Sequence, residues 1–365
     1  MSPYQRMSPY ESLPASAFWR SGVVQSDPNR MEGLYKKKFD ISRTDRIVTA
    51  GSCFAQHISR HLRSAGFRVA DAEPPPKAMT EETARAFGYH LFSARYGNIY
   101  TTRQLLQLLQ EASGKAIPAN FIWERNGRFF DALRPSVEPE GFASPSEVEI
   151  HRRSHVRLVG RMLRKTDVFI FTFGLTEAWI DHESGTVYPT APGTIAGHYD
   201  PGRFTFRNYT FRDIYNDFVE VRSILQEFRP NIRFVITVSP VPLTATASGR
   251  HVLAATVHSK SILRAVAGEL EQEFDDVDYF PSYEIITNPA ARSGFYRDNL
   301  REIDPAGVAA AMHTFMSAHV SDYTGDAPYA LHAPTDKKPP RQENDAEDEA
   351  VCEEMLLESF AGGRP

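Results

Sequence analysis

Four short, strongly apolar β-branched runs, separated by long segments of 3.6-residue period, leave this chain few folds to adopt. The runs are RIVTAG (46–51), DVFIFTF (167–173), RFVITVS (233–239) and VDYF (277–280), with a weaker fifth, FRVAD, at 67–71. Short β-branched runs of this kind are the strand candidates. Between them the pattern predicts helices from Phe54 to Ala65, Thr102 to Glu111, Pro145 to Arg164, Phe211 to Phe228, Val252 to Glu273 and Asp304 to His319. Such alternation specifies an α/β fold with a parallel sheet between helical layers.

Two stretches break the alternation. FIWERNGRFFDALRP (121–135) surrounds Asn126-Gly127, a two-residue hairpin signal, and the Gly/Pro-rich segment at 183–206 reads as a long loop or hairpin at a sheet edge. The expected organisation is a flexible N-terminal arm (1–30), one domain with insertions (31–322) and a disordered tail (323–365). That tail ends in VCEEMLLESF, where Val351, Met355, Leu356 and Phe360 form a short amphipathic end that docks on the body or recruits a partner. With 41 Lys+Arg against 46 Asp+Glu, the formal charge of −5 gives no footprint for nucleic acid. Two cysteines, Cys53 and Cys352, are too few for a disulfide framework or a four-cysteine metal site. No signal peptide and no apolar membrane span is recognisable, so a cytoplasmic protein is expected.

Open parallel sheets bind ligands beyond the carboxyl ends of their strands. The first strand leads into Gly51-Ser52-Cys53-Phe54-Ala55, which puts two nucleophile-capable side chains at a helix N-terminus, where a thiol pKa falls and an oxyanion can be held. Gly174-Leu175-Thr176-Glu177 follows the second, Ser239-Pro240-Val241-Pro242 and then Gly249-Arg250-His251 the third, and Pro281-Ser282-Tyr283-Glu284 the last. One nucleophile, one imidazole and two carboxylates, Glu177 and Glu284, are thereby aimed at one sheet edge. Each has a plain structural reading as well. Cys53 is a small buried hydrophobe, Ser52 a helix N-cap, His251 a cap or surface residue. His57 and His61 have metal-ligand spacing but no third ligand, so no metal is expected; His151 and His155 read as a solvated face of an Arg-rich helix.

The segment IVTAGSCFAQHISRHLRSAGF resembles the naming motif of the GSCFA family. The resemblance continues through YGNIYT (96–101), FTFGLTEAW (171–179), TVSPVPLTATASGRHVL (237–253), Ser259-Lys260 and YFPSYEI (279–285), covering about residues 31–320. That family is similar to the SGNH/GDSL hydrolases, which implies a flavodoxin-like three-layer α/β/α fold and ester chemistry. Carried over, the pattern puts Cys53 at the nucleophile and Ser52 before it. Gly97 or Asn98 matches the block that lends an oxyanion donor, and Gly174 and Thr176 stand in the Gly-x-Asn-Asp block. The final Asp-x-x-His falls on Asp298-Asn299-Leu300-Arg301, with Asp298 present and arginine in place of histidine. Arg301 stays protonated and cannot be a general base; it could pair with Asp298 or hold an anionic substrate. His251 is the replacement base expected here, oriented by Glu284 or Glu177.

The resemblance thus implies an acyl-ester hydrolase or O-acyltransferase working through a covalent acyl-enzyme on a carbohydrate or related ester, in the setting of bacterial surface polysaccharides. No cofactor is required, and an acyl-CoA co-substrate is compatible with transfer, although no phosphate-cradling glycine loop is present. The competing reading is a non-catalytic carbohydrate- or partner-binding protein, with Phe121, Trp123, Phe129 and Phe130 stacking on sugar rings. Oligomeric state is not legible.

Overall fold

In the computed structural model the described residues are 8–320, 323 and 352–361. The chain divides into two compact units, one of Lys38–Phe280 with Pro340–Pro365 and the other of Met1–Lys37 with Pro281–Pro339.

The larger unit is built on β1 (Ile47–Gly51), β4 (Val168–Phe173), β8 (Arg233–Val238) and β9 (Val277–Tyr279), parallel neighbours in that order. Their side chains are almost all buried, Thr49, Thr172, Thr237 and Asp278 included, which is why the sequence shows them as short, mostly apolar runs. The weak fifth run survives only as a parallel bridge from Val69 to Ile47 on the outer side of β1. Counting that bridge, the order is 2-1-3-4-5, and the chain reverses direction across the sheet between β1 and β4. Helices α1 (Phe54–Ser64), α3 (Thr102–Ser113), α4 (Pro145–Leu163), α5 (Phe211–Phe228) and α6 (Val252–Glu273) flank the sheet, completing a three-layer α/β/α arrangement. A short α2 (Glu81–Ala86) lies between α1 and α3. Their limits follow from local chemistry. Thr101 with Gln104 and Thr210 with Asp213 form capping boxes, Ser144 caps a helix whose first residue is Pro145, and Gly114 closes α3 at φ 75°.

The two insertions are sheets of their own. β2 (Ile122–Arg125) and β3 (Arg128–Asp131) form the hairpin expected at Asn126-Gly127. β5 (Glu177–Asp181), β6 (Val187–Tyr188) and β7 (Phe204–Asn208) make a three-stranded antiparallel sheet in the order β6-β5-β7. Trp123 and Phe130 are buried in a cluster with Tyr188, Ala196 and Phe204, so these rings form the core of the insertion and are not presented for stacking on a sugar.

The Arg-rich helix α4 does not present a solvated face at His155. His155 is 1% exposed and Arg152 4%. Nδ1 of His155 lies 2.7 Å from Glu73 Oε2, and Arg152 reaches both Asp131 and Glu111. A cavity of about 20 Å³ lined by Arg134, Arg152 and His155 among others has room for one water. Burial, then the neighbouring Arg134, push the imidazole down to about 4, while Glu73, despite burial, is held down to about 2 by its bond to His155 and by Arg134.

An unfolded imidazole takes its proton near pH 6.5 and the folded one only near 4, so the stability this site carries is complete above about pH 6.5 and is lost as pH falls toward 4. The loss is expected to reach about 3 kcal/mol at about 1.4 kcal/mol per pKa unit. Urea unfolding at pH 7.5 and 4.5 in the wild type and in His155→Gln, which retains a donor for Glu73, checks this. An equally steep fall in the variant assigns the acid sensitivity elsewhere.

The smaller unit holds α7 (Ser282–Thr287) and α8 (Pro305–His319), the latter capped by Asp304 ahead of Pro305. Gly307 lies where an added Cβ would stand 2.9 Å from Phe295 Cβ, which fixes the close approach of α8 to the Phe295 loop. The N-terminal residues carry a 3-10 turn (Ala15–Ala17) and a π-helical turn (Arg20–Val24), and Tyr35 bonds His319 at 3.0 Å within the same unit. No helix among the described residues is long and apolar enough to cross a membrane. Of the expected tail, residues 324–351 lie outside the described residues, Val351 included.

Candidate active site at the switch between the first two strands

Gly51 ends β1 at φ 141°, and a Cβ there would stand 2.6 Å from the Thr172 carbonyl oxygen of β4. Only glycine lets the two strands pair up to this point, with Gly51 opposite Thr172, and still turn the chain sharply into α1. The turn delivers Ser52 and Cys53 to the head of α1. Cys53 is the N-cap residue, in helical conformation and without a side-chain cap, and neither cysteine is in a disulfide. Ser52 is not the cap that its residue type suggests. Its hydroxyl oxygen is buried and has no hydrogen-bond partner. A buried hydroxyl left in that condition costs about 1–3 kcal/mol, and such groups call for a reason beyond packing.

Gly174 closes the second wall. A Cβ on it would be 2.8 Å from Ser52 Cβ and 2.9 Å from the Tyr100 carbonyl oxygen. Its N–H donates to Tyr100 O at 3.2 Å, and its carbonyl accepts from Lys260 Nζ at 2.7 Å. Gly174 therefore contributes space, not a donor. Thr176 is fully buried; its N–H donates to Ser259 Oγ at 3.2 Å, and its hydroxyl oxygen, like that of Ser52, has no partner. Asn98 comes from the loop leading to α3. Its Oδ1 accepts from Gln56 Nε2 of α1 at 3.2 Å, and its Nδ2 donates to the carboxylate of Glu353.

Glu177 begins β5, half-buried, and accepts from Thr246 Oγ1 at 2.8 Å; burial raises its pKa above the usual carboxylate range despite that bond. His251 is exposed at the head of α6, where Nδ1 accepts the Leu253 N–H at 3.2 Å. The neighbouring Val252 packs on Tyr100, Leu175, Leu243 and Ala255, so α6 begins at the rim of the pocket. Gly174 thus stands against Ser52, and Asn98 is tied to Gln56 on the first turn after Cys53, while Thr176 and Glu177 lie on the segment leaving β4 and His251 at the head of α6. Glu284 in α7, exposed Asp298 and buried Arg301 belong to the smaller unit.

Four residues of the pocket carry no assigned role in the sequence reading. Tyr100 and Ser136 reach the Glu353 carboxylate. Lys260, 2% exposed, stands beside Ser259 on the buried stripe of α6 with Leu263, Val266 and Ala267. A polar pair interrupting an apolar stripe is the signal that could have singled it out. Among the described residues no three His, Cys, Asp or Glu side chains gather as a metal site, and His61 Nδ1 donates instead to the His57 carbonyl at 2.9 Å.

Comparison with protein-family models finds the GSCFA family over residues 46–315. No curated protein and no solved structure matches the chain significantly.

Proposed function

The chain belongs to the GSCFA family, and from that premise we propose that it is an acyl-ester hydrolase or O-acyltransferase, acting on a carbohydrate or related ester through a covalent acyl-enzyme at the Gly-Ser-Cys turn. The observation that carries the reading is the buried, unpartnered hydroxyl of Ser52, next to Cys53 at the carboxyl end of β1 and against Gly174, with a second such hydroxyl on Thr176 two residues beyond that glycine. In the proposed reaction the Cys53 thiolate, favoured by the N-terminus of α1, attacks the ester carbonyl. The new S–C bond forms as the carbonyl oxygen becomes an oxyanion, which Thr176 and the Asn98 amide are suited to receive. Collapse breaks the C–O bond, and the alcohol leaves with the proton that the Cys53 thiol gave up to His251. Water or a sugar hydroxyl then takes the acyl group.

His251 is the proposed proton carrier. Its Nδ1 accepts a helix N–H, which puts the ring proton on Nε2, so cap and base compete for one nitrogen. Ser52 is the second reading for the nucleophile, favoured by its orphaned hydroxyl. The relation to SGNH hydrolases is part of this proposal. The binding-protein alternative loses the stacking support of Trp123 and Phe130, which are buried.

Two measurements on the full chain test it. Iodoacetamide alkylation of Cys53 against pH is expected to show a thiol titrating well below the ordinary thiol value of about 8.5, shifting upward in His251→Ala if the ring holds the thiolate. Exposure to p-nitrophenyl acetate is expected to leave an acetyl group on Cys53 that hydroxylamine removes, and Cys53→Ala to lower turnover on the order of 10³-fold. A hydroxylamine-resistant acetyl on Ser52 moves the nucleophile there. A normally titrating thiol with no acetyl on either residue removes the enzymatic reading.

A further inference from the structure

The C-terminal segment docks by the face opposite to the one its hydrophobicity selects. In the 3-10 helix Glu353–Phe360, Leu356 and Phe360 are 48% and 65% exposed, whereas Glu353 and Glu354 are 4% and 8% exposed. Docking through Leu356 and Phe360, one of the two readings of this segment, is not what the structure shows; Met355 and Leu357 are half-buried, and Glu353 is held by hydrogen bonds. Glu353 accepts three hydrogen bonds from two separate segments of the chain. Asn98 Nδ2 and Tyr100 Oη, the latter at 2.7 Å, donate to Oε2, and Ser136 Oγ donates to Oε1. Gly97, at φ 67°, stands beside the same carboxylate, where a Cβ would be 3.7 Å from Oε1.

The cradle is built for an anion by neutral donors. Burial, then Cys352, Glu353, Glu354 and Cys53, hold the Tyr100 phenol well above its usual pKa, so the hydroxyl keeps its proton and donates. Bonds from neutral donors to an ionised acceptor are worth about 1.5–3 kcal/mol each, enough to fix one carboxylate and low enough for another to exchange with it. The cradle also adjoins the candidate nucleophile: Gln56, on the first turn of α1 after Cys53, holds the Asn98 amide in place, and the Cys53 thiol bears electrostatically on Tyr100.

We propose that Asn98, Tyr100 and Ser136 form a carboxylate-binding subsite beside the Gly-Ser-Cys turn, with Glu353 as its intramolecular occupant, which a carboxylate-bearing ligand displaces. The subsite selects ligands that present a carboxylate, such as a uronic acid or a carboxylate-substituted sugar ester. Its consequence for catalysis, that the C-terminal segment keeps the oxyanion donor Asn98 engaged until such a ligand arrives, rests on the enzymatic reading above; the binding itself does not.

The test uses the full chain with a specific protease sequence inserted between Gln342 and Glu343, cut after folding and freed of its own C-terminal fragment by gel filtration. A fluorescent peptide of residues 350–361 is titrated onto it by anisotropy. The expected result is saturable binding, at least tenfold weaker for the Glu353→Gln peptide and for Ser136→Ala in the body, and competition by glucuronate and by acetate. Equal binding of the two peptides, no binding, or no competition by either carboxylate overturns the proposal. Ser136 contributes one hydroxyl, so its removal spares the fold, and the peptide variant tests the same contact without altering the body. Repeating the titration in Cys53→Ala separates the two readings. Retained binding there, with no acetyl trapped in the wild type, sinks only the enzyme; lost binding with a trapped acetyl sinks only the subsite.

Discussion

Replacing Asp131 by alanine is expected to cost about 3–5 kcal/mol, the loss typical of removing one partner from a buried ion pair. Asp131 ends β3 with 4% of its surface exposed and accepts from Arg134 Nε at 2.7 Å and from Arg152 Nη1 at 3.1 Å. Burial alone would raise its pKa, yet Arg152 and Arg134 together hold it below the usual carboxylate range. The cost arises from what remains. Arg134 and Arg152, 5% and 4% exposed, lose the carboxylate between them, although Arg152 keeps Glu111. The same network ties the inserted hairpin to α4, so the hairpin should loosen with it. Asp131→Asn preserves shape and one acceptor and is expected to fall between wild type and alanine. Glu227→Ala, which removes the exposed pair with Lys115, sets the scale at under about 1 kcal/mol. Urea midpoints of the three variants check the order. An Asp131→Ala midpoint no lower than that of Glu227→Ala would refute the claim that these charges hold the insertion.

That network also shows where sequence reasoning ends. β1, β4 and β8 are legible because a strand covered on both faces is mostly apolar and β-branched, and α5 is legible from its 3.6-residue period, with the Thr210–Asp213 capping box fixing its start in the structure. That Gly51, Ser52 and Cys53 stand at the carboxyl end of β1 and the head of α1 was legible for a similar local reason, a strand running straight into a helix. His155 and Arg152 were not. Their partners Glu73, Glu111 and Asp131 lie far away in the chain, and on a helix the pattern of a solvated charged face is indistinguishable from that of a buried charged network. β5 was obscured because Glu177 and Thr176 suggested a site loop, while the antiparallel pairing of β5 with β6 and β7 depends on segments that look like loop sequence. The C-terminal segment inverted its own pattern. Leu356 and Phe360 predict the buried face under hydrophobic docking, but a cradle of Asn98, Tyr100 and Ser136 cannot be seen before the chain has folded.

The largest effect at the site is expected from the two glycines that bring the strand ends together. In Gly51→Ala the new methyl group meets three atoms of Thr172, the nearest its carbonyl oxygen at 2.6 Å, at a φ of 141° that L-residues rarely adopt. Backbone cannot move aside as a side-chain tip can, so the β1–β4 pairing must open at its carboxyl end. A loss above about 4 kcal/mol, combining overpacking with backbone strain, is expected. Gly174→Ala has no positive φ and differs in kind. Its methyl meets Ser52 Cβ at 2.8 Å and Tyr100 O at 2.9 Å, so part of the strain is relieved by pushing Ser52, and the turn with it, away from β4. Stability is expected to fall by about 1–3 kcal/mol, as for a small-to-large change in a packed site. Cys53 alkylation and acetyl trapping should fall much further, on the order of 10²-fold, because a displacement of about 1 Å at a reacting group has that consequence. If Gly174→Ala keeps wild-type acetylation while losing stability, Gly174 is a packing residue only and the reacting groups do not depend on this wall. If acetylation is lost with the fold intact by circular dichroism, the close approach of Gly174 to Ser52 is what positions the nucleophile.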